Sequence, residues 1–317
     1  MNIFHIISIL IFLSAIFSYL NFRFLKLPQS IGLMAFSLVF SMVLLAIGYY
    51  NPSFKAAVVF ILEKIDFSEL LLEIMLSFML FAGSIHIKIE DLKSESMSIA
   101  AYATVSVVIS TFIVGYGTWL ILGVFGITVE LMHALLFGAL ISPTDPIAVL
   151  SILKSSGISK SLQTKIAGES LFNDGVAVVI FIILLQLSEP GAELSFRNIV
   201  VLFSREAIGG LVLGIILGYT GFKLIASIDH YQVEVLLTLA IVMGGYTLSH
   251  FIHVSGPLAM VAAGVIIGNK GKKFGMSEIT REYLDKFWEL IDEILNAILF
   301  VLIGLELVII PIEKRSS

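Results

Sequence analysis

Cysteine is absent from all 317 residues, which excludes disulfides, thiolate nucleophiles and cysteine-ligated metal centres. Charge is scarce as well. Asp, Glu, Lys and Arg make up 14% of the chain, where a soluble domain carries about 25% to keep water on its outside. Neither an HExxH nor a GxSxG pattern occurs, so the common metalloprotease and serine-hydrolase signatures are missing and no enzyme is expected. What the sequence has in excess is apolar surface: 58% of residues are hydrophobic and the mean hydropathy is +1.03. These values describe an integral membrane protein.

About 20 apolar residues span a bilayer as a helix, and about ten such runs follow one another. They cover residues 2–21, 29–50, 69–87, 98–125, 131–151, 167–187, 198–226, 232–252, 256–269 and 287–310. The ninth is short and opens at Gly256-Pro257. The first has no basic residue before it and no small-x-small cleavage site after it, so it reads as a permanent helix. Residues 51–68 read as a connection with a short interfacial helix, and 270–286 as a basic loop leading into an amphipathic turn. Most of the 19 Lys and Arg fall on one side. Odd-numbered connections hold Arg23, Lys26, Lys88, Lys93, Lys154, Lys160, Lys165, Lys223, Lys270, Lys272, Lys273, Arg281 and Lys286, and even ones hold only Lys55, Lys64, Arg197, Arg205, Lys314 and Arg315. The positive-inside rule then sets the N-terminus outside the cell membrane.

Ionisable residues deep in a span are the informative ones, because each costs at least a few kcal/mol there. Asp145, Glu169 and Asp174 qualify, whereas Glu73, Glu234, Asp292, Glu293 and Glu306 lie nearer predicted ends. Asp145 sits in GALISPTDPIAVL, residues 138–150. As an ordinary loop this stretch fails, since the apolar runs on either side are each too short to cross alone. Pro143 and Pro146 remove backbone donors, and Ser142 and Asp145, each preceding a proline, are driven from helical geometry. The expectation is a helix interrupted near mid-membrane, tolerated because it lines a cavity. Asp145-Pro146 reads as cap and first residue of the second half, and Thr144 offers a hydroxyl and a carbonyl.

In the next span, KIAGESLFNDGVAVVIF at 165–181, Glu169 and Asn173 are four apart, as are Ser170 and Asp174. Each pair therefore stacks along one helical face. Glu169 suits an interfacial helix start. Asp174, followed by a long apolar run, does not. Gly210, Gly214 and Gly218 form a small-xxx-small strip expected to pack helices. His250 and His253 have the spacing of a metal pair but no third ligand nearby, so no metal centre and no cofactor is expected.

Ser-Pro-Thr-Asp-Pro at 142–146, Gly-Glu-Ser-Leu-Phe-Asn-Asp at 168–174 and His-Val-Ser-Gly-Pro-Leu-Ala at 253–259 resemble the bacterial NhaP and eukaryotic NHE sodium/proton exchangers of the monovalent cation:proton antiporter superfamily. The resemblance runs from about residue 5 to 310. It implies an all-α inverted-repeat antiporter fold within one transmembrane domain, 1–317, with a first repeat over about 1–190, a linking span at 198–226 and an incomplete second repeat over 232–310. It further implies that Asp174 carries the ion, that Thr144 and Ser170 help it hold a monovalent cation, and that Asp145 and Asn173 pair across the break. Glu169 matches a carboxylate that relatives pair with an arginine one span beyond FWELIDEILNAILFVLIGLEL. Only ten residues, 308–317, follow that segment, so the expectation is an incomplete exchanger whose Glu169 is protonated or rearranged. An acid carried by many relatives aligns with Ala82. The partners implied are a monovalent cation, a proton, the lipid bilayer and a second copy in a homodimer, with no nucleic acid.

From the residues upward, an ionised Asp174 away from water is costly, so it holds either a proton or a cation. Oxygen ligands from Ser170 and Thr144 suit sodium or lithium. Asparagine at 173 holds no proton, so one proton exchanges for one sodium without net charge. The rivals are a channel or symporter on the same scaffold and a membrane fragment without transport activity.

Overall fold

The computed structural model describes residues 3–62, 71, 75–144, 159–188 and 195–309. Every regular element among them is helical. Two compact units emerge, one made of Met1–Met79 with Leu290–Ser317, the other of Leu80–Glu289.

In the first unit, α1 (Ile3–Leu20) runs into a π-helical turn, Asn21–Leu25. The turn closes because Lys26 adopts φ 53°. The buried Asn21 amide then bonds both polar groups of the Leu27 backbone, at 2.9 and 3.3 Å. Gly32 packs onto that amide so closely that any Cβ would collide with it. After the turn, α2 (Gln29–Tyr50) rises for 22 residues, about 33 Å at 1.5 Å per residue and enough to cross a hydrocarbon core. Next comes α3 (Pro52–Leu62), the short helix expected between the second and third spans. Leu10 and Phe17 of α1 and Leu33 of α2 share a core with Val301, Leu305 and Val308 near the C-terminal end. Ser37 and Ser41 donate to the carbonyls of Phe300 and Gly304, at 2.9 and 2.5 Å. The first helix is thus built into a core.

The second unit takes in most of α4 (Leu76–Ile85) and all of α5 (Ile89–Ala101), which continues through a π-helical turn, Tyr102–Ser106, into α6 (Val107–Val124). Helix α7 (Leu131–Ile141) packs on α6 through glycine. A Cβ on Gly115 would stand 2.8 Å from Leu135 Cα, and one on Gly138 would strike the Thr111 carbonyl. Then come α8 (Lys160–Ser188), α9 (Phe196–Ile225), α10 (Tyr231–Phe251) and α11 (Gly256–Ile266). A π-helical turn, Ile267–Gly271, and a single helical turn, Lys272–Phe274, lead to α12 (Glu278–Ile309).

The glycine strip does what its spacing predicts. Gly210, Gly214 and Gly218 of α9 lie on α11, where a Cβ would meet Ser255 O at 2.5 Å, collide with Ala259 O, and meet Ala263 Cα at 3.0 Å. Helix α11 starts at a defined point because Ser255 Oγ accepts from Leu258 N and Pro257 occupies the first turn.

Among the described residues, six helices are long and apolar enough to cross a membrane: His5–Leu25, Gln29–Tyr50, Leu92–Val124, Leu162–Ser188, Arg197–Ile225 and Tyr231–Phe251. Leu76–Ile85 and Leu131–Ile141 are shorter apolar helices. Large apolar side chains such as Phe12, Phe112 and Ile113 are exposed, as lipid-facing positions require. The protein is an all-helical, multi-pass membrane protein. The region read as a basic loop and amphipathic turn, 270–286, is helical from Glu278 onward and continuous with the segment after it. Its charged first turns depress the local hydropathy and hide the helix start.

Candidate functional site

Helix α8 is the innermost of the six spans: 44% of its most apolar window is buried, against 22–28% for the others. The reason lies in its sequence. Gly168 admits Ile99, with a Cβ there 2.8 Å from Ile99 Cδ1, and Gly175 admits Leu258, with a Cβ 2.5 Å from Leu258 Cδ2. Phe172 packs on Leu92, Ile99 and Val265. Val179 and Ile183 pack with Leu258 and Ala207. Helices α5, α9 and α11 thereby hold α8 in one rotation, and its polar positions face the end of α7.

Helix α7 stops where proline requires it to. Beyond Ile141, Ser142 Oγ lies 2.6 Å from Gly138 O and 3.0 Å from Ser110 Oγ, and it accepts from Thr111 Oγ1 at 3.4 Å. Pro143 bends the chain, and Thr144 follows without helical structure. Helix α7 ends two residues before Pro143. Asp145 and Pro146, which carry the second half, lie outside the described residues, as does Glu73.

Across the break, α8 binds Thr144 by three routes. Ser170 Oγ donates to the Thr144 carbonyl. Asn173 Nδ2 donates to Thr144 Oγ1 at 2.9 Å. Thr144 Oγ1 in turn lies 3.4 Å from Glu169 Oε2 as donor. The second proton of Asn173 Nδ2 goes to Glu169 Oε1, 2.8 Å away and one turn earlier. Ser170 and Asn173 are each 1% exposed, and Glu169 and Asp174 are half-buried.

With both amide protons committed, Asn173 Oδ1 remains buried and has no hydrogen-bond partner among the described residues. Leaving a buried acceptor unmatched costs about 1–3 kcal/mol, so this oxygen calls for a donor or a cation. Chemically the cluster is oxygen-rich: the Thr144 carbonyl beyond a helix end, two hydroxyls, one amide oxygen and the Glu169 carboxylate, with Asp174 the next residue of α8. Such a donor set suits a hard monovalent cation or a proton and offers no soft ligand.

Of the residues singled out in the sequence, Thr144, Glu169, Ser170 and Asn173 are joined in one network, and Asp174 adjoins it on α8. Ala82 is buried, so an apolar methyl stands where the alignment puts an acid. Two buried carboxylates received too little weight from sequence. Glu234, placed near a predicted span end, is fully buried; its Oε1 accepts from His230 N at 3.0 Å and Thr280 Oγ1 at 3.3 Å. Glu206 is 5% exposed beside Arg205. The i, i+4 pair Glu234–Thr238 was the available signal, since Thr238 accepts from the buried Trp288 Nε1 at 3.0 Å.

Comparison with known proteins bears on the family and the fold. Residues 9–314 match the family model described as sodium/hydrogen exchanger, transmembrane. The chain is 50% identical over 309 residues to the Na(+)/H(+) antiporter NhaP of Pseudomonas aeruginosa, covering 96% of this chain and 72% of that protein. It is 33% identical over 289 residues to the Na(+)/H(+) antiporter NhaH of Halobacillus aidingensis, covering 90% and 69%. Among solved structures, that of the sodium proton antiporter MjNhaP1 from Methanocaldococcus jannaschii superposes with a TM-score of 0.72 at 20% identity, over 95% of this chain and 69% of the other. At that identity the likeness speaks for the fold alone.

Proposed function

The chain belongs to the sodium/hydrogen exchanger family, and on that premise we propose that it is a secondary active transporter exchanging sodium for protons, with Asp174 as the group for which the two compete. The observation that carries the reading is the network joining Thr144 to Ser170 and Asn173 across the break in α7, one residue from Asp174. A carboxylate at that depth is costly while ionised and bare. It becomes acceptable once it holds a proton, or a cation shared with neighbouring oxygens.

The described donors divide into two kinds. Ser170 and Asn173 spend their protons on Thr144 and Glu169, so their oxygens remain available as acceptors. Asn173 Oδ1, buried and unmatched, is a ready ligand. Thr144 and Ser170 complete a partial shell for a cation bound at Asp174, and Glu169 fixes the amide so that its oxygen, not its nitrogen, is free. A site that moves between the two sides only when Asp174 is neutralised must release one passenger before returning with the other. Obligatory exchange follows from competition for one acid.

Because residue 173 is an asparagine, the site carries a single exchangeable charge, and exchange is electroneutral. The wider arrangement we propose has about ten spans in two inverted repeats, an N-terminus outside the cell membrane, Asp145 pairing near Asn173, and a homodimer in the bilayer.

Purified chain in vesicles holding a pH-sensitive dye tests this. Added external sodium should drive protons outward from acidic vesicles, and a clamped membrane potential should change neither rate nor endpoint. Proton movement in the same direction as sodium would establish symport instead. A voltage-dependent endpoint would refute electroneutrality, and transport unchanged by Asp174→Asn would refute the site.

A further inference from the structure

In the second unit, three lysines lie at or just after helix ends. Lys223 lies in the last turn of α9, Lys270 in the π-helical turn after α11, and Lys273 three residues further on. Lys223 Nζ stands 5.1 Å from the centroid of the Tyr219 ring, and Lys270 Nζ stands 5.5 Å from the same centroid. Lys273 Nζ is 5.5 Å from the ring of Phe274. All three lysines are exposed.

Helix ends account for part of this, because free carbonyls at a C-terminus attract cations. They do not account for two ammonium groups on one ring. These lie within about 11 Å of each other, near the screening length of physiological salt, so they repel. Neighbouring Lys272 is neutralised by Asp285, but among the described residues no ion pair involves Lys223, Lys270 or Lys273. The described residues therefore leave these ammonium groups open to an anion from outside.

The surroundings indicate its chemistry. Leu224 and Phe274 are 51% and 70% exposed beside the lysines, and Lys223 stands close to the end of a membrane-crossing helix, Arg197–Ile225. A free anion has no use for exposed leucine and phenylalanine. An amphiphile does: its phosphate meets the ammonium groups while its acyl chains cover the apolar side chains. We propose that Lys223 and Lys270, which share the Tyr219 ring, bind the phosphodiester headgroup of an anionic phospholipid, with Lys273 on the following helical turn adding positive charge.

The test is titration of the purified, delipidated chain with phosphatidylglycerol, phosphatidylcholine or inorganic phosphate, reading bound lipid by native mass spectrometry and the melting temperature in parallel. Phosphatidylglycerol should bind and raise the melting temperature, and the other two should do neither at the same concentration. The Lys223→Gln/Lys270→Gln double variant should lose about tenfold or more in phosphatidylglycerol affinity, given the attraction of each lysine to an anionic surface, while Lys55→Gln on α3 should lose none. Equal binding by the double variant would overturn the proposal. So would stabilisation by phosphate alone, which would indicate a free-anion site, or equal binding of phosphatidylcholine, which would indicate apolar contact only. Should the double variant fail to fold, the unaltered chain still decides: its phosphatidylglycerol binding must weaken between low salt and about 0.5 M, and salt-independent binding would refute the assignment.

Discussion

Asn173→Ala strikes the joint between α7 and α8, and its cost can be worked from two bonds. The amide donates at 2.8 Å to the Glu169 carboxylate and at 2.9 Å to the Thr144 hydroxyl. A bond to a charged acceptor contributes about 1.5–3 kcal/mol and a neutral one about 0.5–1.5. Thr144 is exposed and can turn to water, which sets the second bond at the low end. Removing the side chain also removes the unmatched Oδ1, returning about 1 kcal/mol or more. The net loss is therefore about 1–2 kcal/mol, a fall of roughly 1.5–3 °C in melting temperature for a chain of this size. Thermal unfolding in micelles measures it. A double-mutant cycle with Thr144→Val isolates the shared bond, with an expected coupling of about 0.5–1 kcal/mol. Strict additivity of the two substitutions, or an unchanged melting temperature for Asn173→Ala, would show that the joint does not hold as described.

Other positions give sharper or deliberately flat outcomes. Gly214→Val forces a branched side chain into the Ala259 carbonyl and should prevent recovery of folded protein, or lower its melting temperature by the equivalent of about 3 kcal/mol. Ser255→Ala removes the cap of α11 and should cost about 1 kcal/mol in the same assay. Trp288→Phe keeps a tilted ring contact with Phe81, 4.6 Å between centroids in the parent, but loses the bond to Thr238, leaving a buried hydroxyl without its donor, and about 1–2 kcal/mol should follow. Lys286→Gln should leave the melting temperature unchanged between pH 5 and 8. Lys286 holds the Glu282 carboxyl below its ordinary range through their hydrogen bond, so the pair contributes only above the usual Glu pKa and fades as pH falls through the lowered one. Both groups are fully exposed, and such pairs contribute little.

Much of this architecture is legible in the sequence because membranes enforce it. Pro143 cannot continue a helix, so the end of α7 at Ile141 follows from one residue type. The strip at Gly210, Gly214 and Gly218 implied a close crossing, and its partner turned out to be the backbone of α11. The bond from Asn173 to Glu169 was implicit in their spacing of four. Its companion to Thr144, 29 residues away, was not, because no local periodicity reports which helix will face which. Hydropathy also misplaces helix ends whose first turns are charged. Helix α8 begins at Lys160 and α12 at Glu278, well before the apolar runs at 167 and 287. Glu234 escaped weight for a related reason: near a span end a carboxylate is ordinarily solvated, and only its burial beneath Thr280 shows otherwise.

Equilibrium sodium binding by the purified chain, followed across pH with and without Asp174→Asn, tests the central claim most directly because it needs no transport. One-for-one competition predicts that the apparent Kd for sodium rises about tenfold for each unit of pH below the point where the site takes up its proton, and that Asp174→Asn abolishes the binding. Sodium affinity that ignores pH, or that survives the substitution, would contradict the account.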